Sequence, residues 1–496
     1  MNKIRKVLIA NRGEIAVRIA RACHEMGITS VVVFSQADRS SKHVRYADEA
    51  YEIGPPPSSE SYLVIPRIME VARKAGCQAV HPGYGFLAEN PDLPAACREE
   101  GLIFIGPQEE SMSLLGNKTR ARTVMDRAGI PIIPGTLQPL ETVEQAYVEA
   151  ETCGYPVLLK AAAGGGGKGV RVVHSREELP AALRRSRSEA LSSFGNDDVY
   201  LEKYLVSPRH VEIQILADGH GNAVHLNERE CSVQRRYQKL VEESPCCIVD
   251  GDLRERMGGD AIAAVKASDY VNAGTVEFLV DSDGSYYFLE VNARLQVEHP
   301  VTEMITGMDL VKEQIRVAMG NELSFSQDDV GINGAAIECR ISAEDPVTFM
   351  PSVGKIRELV EPSGPGIRVE SGIYSGCEVS VYYDPLLAKV IAWGGTRDEA
   401  ISRMLRALDE YKIKGVKTTI PFHRKVLTRE DFRSGNYDTG IVPKVELTET
   451  THHIEAAAIA ATVVAMDDEK VDFVKGSEET DRWKLSGRMY GGFRSN

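Results

Sequence analysis

Nine cysteines are scattered through this 496-residue chain, and no two have the C-x-x-C spacing. Cys246 and Cys247 are adjacent, so neither a zinc site nor a disulfide framework is indicated, and a reducing cytoplasm is expected. Long apolar runs are missing too. The amino terminus MNKIRKVLIANRGEIAVRIA lacks the apolar core and cleavage site of a signal peptide, and the most apolar late run, Ala456 to Met466, is too short to span a bilayer. A soluble, cytoplasmic chain with no membrane span is expected. Basic residues number 58 against 72 acidic ones, a formal charge of −14, which argues against nucleic acid as a partner. A small anionic substrate would then need a local basic pocket. The length predicts about three domains with ample core, and no internal repeat is evident.

Two nucleotide fingerprints are also absent. Strand Lys6 to Ala10, helix Glu14 to Met26 and strand Ile28 to Phe34 imitate a dinucleotide-binding unit, yet the first turn offers only Asn11-Arg12-Gly13 where G-x-G-x-x-G is needed. Gly164, Gly166 and Gly169 meet that spacing only through glycine density, and Lys168 is followed by glycine, so there is no Walker A loop. The run Gly164, Gly165, Gly166, Gly167 lies between strand patterns. It reads as a hairpin loop whose N–H groups can fold over phosphates, with Lys160 and Lys168 supplying charge; a flexible linker is the plainer reading.

Elsewhere, His81-Pro82-Gly83-Tyr84-Gly85 follows a buried strand and makes a tight loop at a sheet's carboxyl edge, where open α/β sheets bind ligands. Ser175 to Glu178 reads as a capping box opening a helix with Leu179, Leu183, Ser186 and Ala190 on one face. Strands are predicted over Val199 to Tyr204 and His210 to Ile215, and Glu202 and Lys203 at the end of the first could hydrogen-bond a base. The charge-dense stretch Glu228 to Glu243 holds Arg235 and Arg236, for which a solvated face is the ordinary reading. Lys239, just before Leu240 and Val241, is the better candidate for a buried cation facing an anion. A helix over Ile305 to Met319 and strands over Ala335 to Ile341, carrying Arg340, and Lys389 to Ala392 follow.

The chain is organised around Thr275 to His299. Two β-rich runs flank Asp281-Ser282-Asp283-Gly284, a hairpin signal. A two-residue loop at Asp283-Gly284 puts Glu277 opposite Glu290; a four-residue loop makes them diagonal neighbours. Either register brings two carboxylates together, with a repulsion of roughly 4 kcal/mol at ~4 Å and an effective dielectric near ~20. A cation should sit between them. Past the turn, Glu290, Asn292, Arg294, Gln296 and Glu298 share one parity, so a continuing strand would project them from one face. Two carboxylates and Asn292 suit Mg²⁺, which takes one or two carboxylates plus substrate phosphates. An ordinary half-exposed strand is the plain alternative.

HPGYGFLAEN at His81, KAAAGGGGKG at Lys160, QRRYQK at Gln234, EVNARLQVEHPVTE at Glu290 and ECRISAEDP at Glu338 together resemble the biotin carboxylase family of ATP-grasp enzymes, over roughly Ile4 to Val442. The resemblance implies an α/β and α+β fold: a Rossmann-like pre-ATP-grasp domain over 1–115, an ATP-grasp domain over 116–332 with a mobile lid at about 132–204, a carboxyl-terminal domain over 333–444, and a tail over 445–496 that can form a subunit-interaction helix. It implies ATP contacts at Lys118, Lys160, Gly164 to Gly167, Glu202, Lys203, Leu205, His210, Gln234, Tyr237, Glu277, Leu279 and Glu290, and Mg²⁺ (or Mn²⁺) at Glu277, Glu290 and Asn292. Bicarbonate would meet Lys239, Arg294, Gln296 and the backbone of Val297. Glu298 would be the base, Arg340 would stabilise the biotin enolate, and Tyr84 would neighbour the biotin ring.

Two residues depart from the family pattern: Tyr237 stands where many relatives have histidine, and Ala163 replaces the first of five lid glycines. No EAMKM-like biotin attachment site occurs and there is no length for a carboxyltransferase. The resemblance thus implies the carboxylase subunit of an acetyl-CoA, acyl-CoA or pyruvate carboxylase, a homodimer working with separate biotin carboxyl carrier and carboxyltransferase subunits. The tail beyond Glu446 inclines the choice toward pyruvate. The rivals are another ATP-grasp carboxylate–amine ligase and a non-catalytic nucleotide-binding assembly subunit; retention of both acidic ligands, Arg294 and Glu298 argues against the latter.

Overall fold

The computed structural model describes residues 4–162 and 169–447. The chain divides into two compact units, Met1–Glu446 and Leu447–Asn496, and all the elements that follow belong to the first. Gly164 to Gly167, Ala163 and Lys168 lie outside the described residues, as does the proposed tail helix.

The amino-terminal segment folds as a five-stranded parallel sheet in the order β3-β2-β1-β4-β5, from β1 (Lys6–Ile9), β2 (Thr29–Phe34), β3 (Glu49–Glu52), β4 (Ala79–His81) and β5 (Ile103–Phe104). Helix Gly13–Glu25 buries Ile15, Ile19 and Ala22 against it, the stripe predicted by the helical period. Strand order reverses between β1 and β4, and ligands in open α/β sheets bind beyond such a switch point. Here the loops after β1 and β4 are stitched together: Nδ2 of Asn11 donates to Pro82 O at 2.7 Å and Tyr84 O at 2.8 Å. Gly83 has φ +64, and a Cβ there would meet Asn11 Nδ2 at 3.0 Å, so this junction needs glycine.

A three-stranded antiparallel sheet, β7-β6-β8, follows from β6 (Val157–Ala161), β7 (Arg171–Val173) and β8 (Val199–Lys203). Helix Leu179–Phe194 covers it through Leu179, Leu183 and Ala190. The expected capping box does not form. Glu178 instead accepts from the His174 N–H at 3.0 Å, closing the turn ahead of the helix.

The largest sheet has eight strands: β9 (Arg209–Ala217), β10 (Ala223–Arg235), β11 (Gln238–Ser244), β12 (Asn272–Val280), β13 (Tyr286–Asn292) and β14 (Ala335–Ser342), joined by two strands of the next segment. That segment contributes β15 (Gly354–Lys355), β16 (Glu358–Val360), β17 (Ile367–Ser371), β18 (Glu378–Val379), β19 (Leu386–Gly394) and β20 (Lys412–Lys414). The order is β13-β12-β9-β10-β11-β14-β19-β17, while β15-β18 and β16-β20 form two small ladders. One face of β9 and β12 buries Val211, Ile213, Val276 and Phe278 in a core shared with Met257, Ala261 and Val265 of helix Gly251–Ala267. Alternation sends His210, Glu212, Gln214 and Glu277 to the other face.

Three sequence expectations are corrected. The predicted strand does not continue past Asn292, since the backbone leaves the ladder there and helix His299–Thr306 begins soon after. The helix expected over Ile305 to Met319 is two, His299–Thr306 and Leu310–Ala318, parted at left-handed Gly307. The solvated face expected for Arg235 and Arg236 holds at exposed Arg236 but not at Arg235, half-buried 4.5 Å over the Phe349 ring, and the stretch Glu228 to Glu243 forms the hairpin of β10 and β11. Glu228, Arg229, Glu230 and Glu242 are buried there, paired with Arg254, Glu212, Arg209 and Arg340 of other elements, while the tip residues Arg236 and Tyr237 take φ +50 and +65.

Candidate active site

A cavity of about 1360 Å³ opens above the polar face of the large sheet and is walled by the Asn11 and Tyr84 loops. It brings together Tyr84, Lys118, Lys160, Glu202, Lys203, Leu205, His210, Gln234, Tyr237, Lys239, Glu277, Leu279, Glu290, Asn292, Arg294, Gln296, Val297 and Arg340.

Two β-bulges decide which side chains face it. The hairpin of β12 and β13 turns through five residues, Asp281 to Ser285, neither two nor four. Phe278 pairs with Phe288, but the next pair is Glu277 with Glu290. Leu289 is the extra residue, and it carries Glu290 into place opposite Glu277. In β11, Gln234 pairs with Lys239 and Val233 with Val241, which makes Leu240 the extra residue. In an unbulged strand Lys239 and Glu242, three residues apart, would leave opposite faces; the bulge puts them on one face.

Besides the Mg²⁺ expected between Glu277 and Glu290, two lysines face these carboxylates. Lys118 hydrogen-bonds Glu290, and Nζ of Lys239 lies 2.9 Å from Glu277. Each carboxylate thus meets its own ammonium, since both lysines reach the cavity from neighbouring elements. Lys239 also contacts Glu298 at 2.6 Å and Glu212. Burial opposes its charge, but Glu212, Glu277 and Glu298 outweigh it and hold the ammonium well above its ordinary pKa. For Glu277 burial favours the acid, yet Lys239 and His210, 3.0 Å away, keep its pKa below the usual range.

The chain after Asn292 remains a polar hub although it is not a strand. Asn292 Nδ2 and Gln296 Nε2 donate to Glu277 at 2.8 and 3.2 Å. Arg294 donates to Asn292 Oδ1 at 3.0 Å, to Gln296 Oε1 at 2.9 Å and, through Nε, to Glu89 at 2.9 Å. Glu298 is fully buried and accepts from Arg340 at 2.8 Å, while Arg340 Nε donates to Glu242 at 2.6 Å. The carbonyl of Val297 accepts from buried Lys389 at 2.7 Å.

At the other end Lys160 lies 2.5 Å from Glu202, which also accepts from Arg122 at 2.6 Å. Lys203 turns its ammonium onto Gly154 O at 2.7 Å. Sequence reasoning missed Glu212, Glu242, Arg122, Arg229 and Glu89. Arg229 is wholly buried and donates to Glu212 at 2.6 Å, Gln214 at 2.7 Å and Thr275 at 3.0 Å. The alternation His210-Val211-Glu212-Ile213-Gln214 was the signal that could have found Glu212.

Glu277, Glu290 and Asn292 together offer two carboxylates and an amide oxygen at the cavity wall. That hard-oxygen set fits Mg²⁺, the two carboxylates being balanced by lysine charge in this structure.

Three family profiles match the chain: "Biotin carboxylase, N-terminal domain" over residues 3–112, "Carbamoyl-phosphate synthase L chain, ATP binding domain" over 117–326, and "Biotin carboxylase C-terminal domain" over 338–444. A pyruvate carboxylase subunit of Methanothermobacter thermautotrophicus is 55% identical over 438 residues, 88% of this chain and 89% of the relative. Biotin carboxylase 1 of Bacillus subtilis is 55% identical over 88% of this chain and 97% of its own length. The crystal structure of a Campylobacter jejuni biotin carboxylase with β-γ-ATP superposes with a TM-score of 0.88 at 47% identity, covering 89% of this chain and 99% of that one. The biotin carboxylase domain dimer of the Hydrogenobacter thermophilus 2-oxoglutarate carboxylase, with MgADP, ADP and bicarbonate, gives 0.87 at 47% identity, covering 90% and 100%.

Proposed function

The chain belongs to the biotin carboxylase family of ATP-grasp ligases, and for its reaction, ATP-dependent carboxylation of biotin as the first half-reaction of a biotin-dependent carboxylase, we propose the following division of labour. The nucleotide lies along Lys118, Lys160, Glu202, Leu205, His210, Gln234 and Leu279, with Tyr237 at the edge and the 164–167 glycines over the phosphates. Mg²⁺, held by Glu277, Glu290 and Asn292, neutralises developing phosphate charge when bound. Bicarbonate sits at Lys239, Arg294, Gln296 and the Val297 backbone.

Glu298 takes the bicarbonate proton as its oxygen attacks the γ-phosphoryl group to give carboxyphosphate and ADP. Arg340 faces biotin, whose ureido nitrogen receives CO₂ when carboxyphosphate breaks down, with Tyr84 beside the ring. The observation that carries this reading is the clamp of Lys239 and Arg340 on the Glu298 carboxylate at 2.6 and 2.8 Å. It joins the base to both an anion site and the proposed biotin site.

The residue blocks 1–115, 116–332 and 333–444 serve as the pre-ATP-grasp, ATP-grasp and carboxyl-terminal domains. The subunit naming of the Methanothermobacter relative supports work with a separate biotin carrier and carboxyltransferase, and the dimer of the Hydrogenobacter domain supports a homodimer; the cytoplasm is our proposal for its location. No helix among the described residues is long and apolar enough to cross a membrane. The test is ATP cleavage by the purified chain with bicarbonate and free biotin. Cleavage that needs bicarbonate and rises with biotin is expected; cleavage indifferent to both would favour another ATP-grasp ligase.

A further inference from the structure

Two carboxyl groups behind Arg340 have no part in the scheme above. Glu242 on β11 and Glu338 on β14 pair directly in the antiparallel register, and both are 0% exposed. Directly opposed residues leave the same sheet face with Cβ atoms about 5 Å apart. Arg340 follows Glu338 by two residues, so it shares that face, and its Nε donates to Oε1 of Glu242 at 2.6 Å.

The remaining oxygens are orphaned: Oε2 of Glu242 and both oxygens of Glu338 have no hydrogen-bond partner. Lys389, the nearest cation on β19, is committed to Val297 O at 2.7 Å and stands 3.5 Å from Glu14. Two adjacent carboxylates in a dry site cannot both stay ionised, and a single proton removes one charge while supplying a donor.

We infer that Glu242 and Glu338 hold one proton between them, and that this pair positions Arg340 against Glu298. The charged groups facing the pair are Lys389 on β19, Arg340 on β14, Lys239 on β11, and Glu298 before helix His299–Thr306. Burial acts in the same direction, raising Glu242 to about 7 and Glu338 well above the ordinary carboxylate range. With the proton in place, Glu242 is the anion that anchors Nε of Arg340, and the far edge of the guanidinium reaches Glu298 at 2.8 Å. Loss of the proton at high pH puts a second negative charge behind Arg340 and draws it away from the cavity.

The inference rests on Arg340 serving biotin, and two readouts keep the ideas apart. Biotin- and bicarbonate-dependent ATP cleavage by the full chain is followed against pH, and the infrared carbonyl band of a buried carboxylic acid is recorded. Glu338→Gln mimics the protonated acid, so the band should be lost and the alkaline limb of the rate profile should move up or vanish. Glu242→Gln removes the anchor and should raise the biotin KM roughly tenfold or more, the ratio for a charge-assisted hydrogen bond.

An unchanged band or an unmoved alkaline limb in Glu338→Gln overturns the inference. Should that variant not fold, Glu338→Asp keeps the acid but displaces it, and an unshifted limb there overturns it equally. If Arg340→Ala leaves the biotin KM unchanged, the proposed role of Arg340 fails while the infrared result still decides the shared proton.

Discussion

The Lys239 ammonium lies 2.6 Å from Oε1 of Glu298. With Arg340 on the other oxygen, burial's push toward the neutral acid is outweighed first by Lys239 and then by Arg340, leaving Glu298 well below the ordinary carboxylate range. The two cations thus favour the carboxylate form of this proposed base. Glu298→Gln keeps the shape but only one of the two acceptor oxygens, removes the proposed base, and should lower bicarbonate-dependent ATP cleavage by about 10²- to 10⁴-fold. Calorimetric ATP affinity should hardly change. Near-normal turnover would remove Glu298 from the mechanism and leave Lys239 as the next group to test.

Glu290→Gln takes away one of the two proposed metal carboxylates and the counter-charge of Lys118. Turnover should fall severely, with a higher Mg²⁺ requirement at fixed ATP. Metal-dependent ATPase within about twofold of wild type would count against the metal assignment.

Arg122 and Glu202 form a pair whose side chains are 2% and 1% exposed, bonded at 2.6 Å. Breaking one side of such a pair strands a charge, so Arg122→Ala should cost about 3–5 kcal/mol in denaturant unfolding. Lys160, which shares Glu202, should lose its orientation, and ATP should bind more weakly. A midpoint unchanged from wild type would show that Lys160 alone satisfies Glu202.

Acid should destabilise the fold in two stages. Burial lowers His43 from 6.5 to about 4, so between those values the unfolded chain binds a proton that the folded chain refuses, and stability falls as pH falls. For Asp38 burial favours the acid, but Arg12 outweighs it and brings the pKa from 3.8 to about 2. Its contribution is present above 3.8 and lost as pH drops through about 2. His43→Gln should remove its own share of the upper stage, about 3 kcal/mol between pH 6.5 and 4 in urea melts run across that range, and leave the shares of His81 and His423, which burial also lowers. An unaltered pH slope would assign the stage to another histidine.

Most elements were readable because their apolar periods are strong. The β1–helix–β2 unit and strands β8, β9, β14 and β19 all follow from alternation or helical stripes. The site was legible in its residue types, with Glu277 and Glu290 paired as predicted. What periodicity could not show were Leu289 and Leu240, because one inserted residue shifts parity without any compositional mark. Nor could it show Arg229, Glu230 and Glu242 inside a hairpin, since a charge run reads as solvated until its counter-ions from other strands are placed. The strand expected past Asn292 is missing for a related reason: side chains with polar alternation converge equally well from an irregular segment when Lys239 and Arg294 hold them.

The ladder from β11 to β14 has a mechanical consequence. Val241 to Ser244 pair with Ala336 to Cys339, and β14 in turn pairs with β19 along its whole length. His210, Gln234 and Glu277 at the proposed nucleotide end and Arg340 at the proposed biotin end therefore stand on one continuous plate of backbone hydrogen bonds, while Lys160 and Glu202 belong to the separate three-stranded sheet. Strain imposed at one end would reach the other as displacement of the plate, not as rotation at a hinge. Cutting the chain between residues 332 and 333 would leave two raw sheet edges, so the pieces should associate or precipitate rather than act as independent modules.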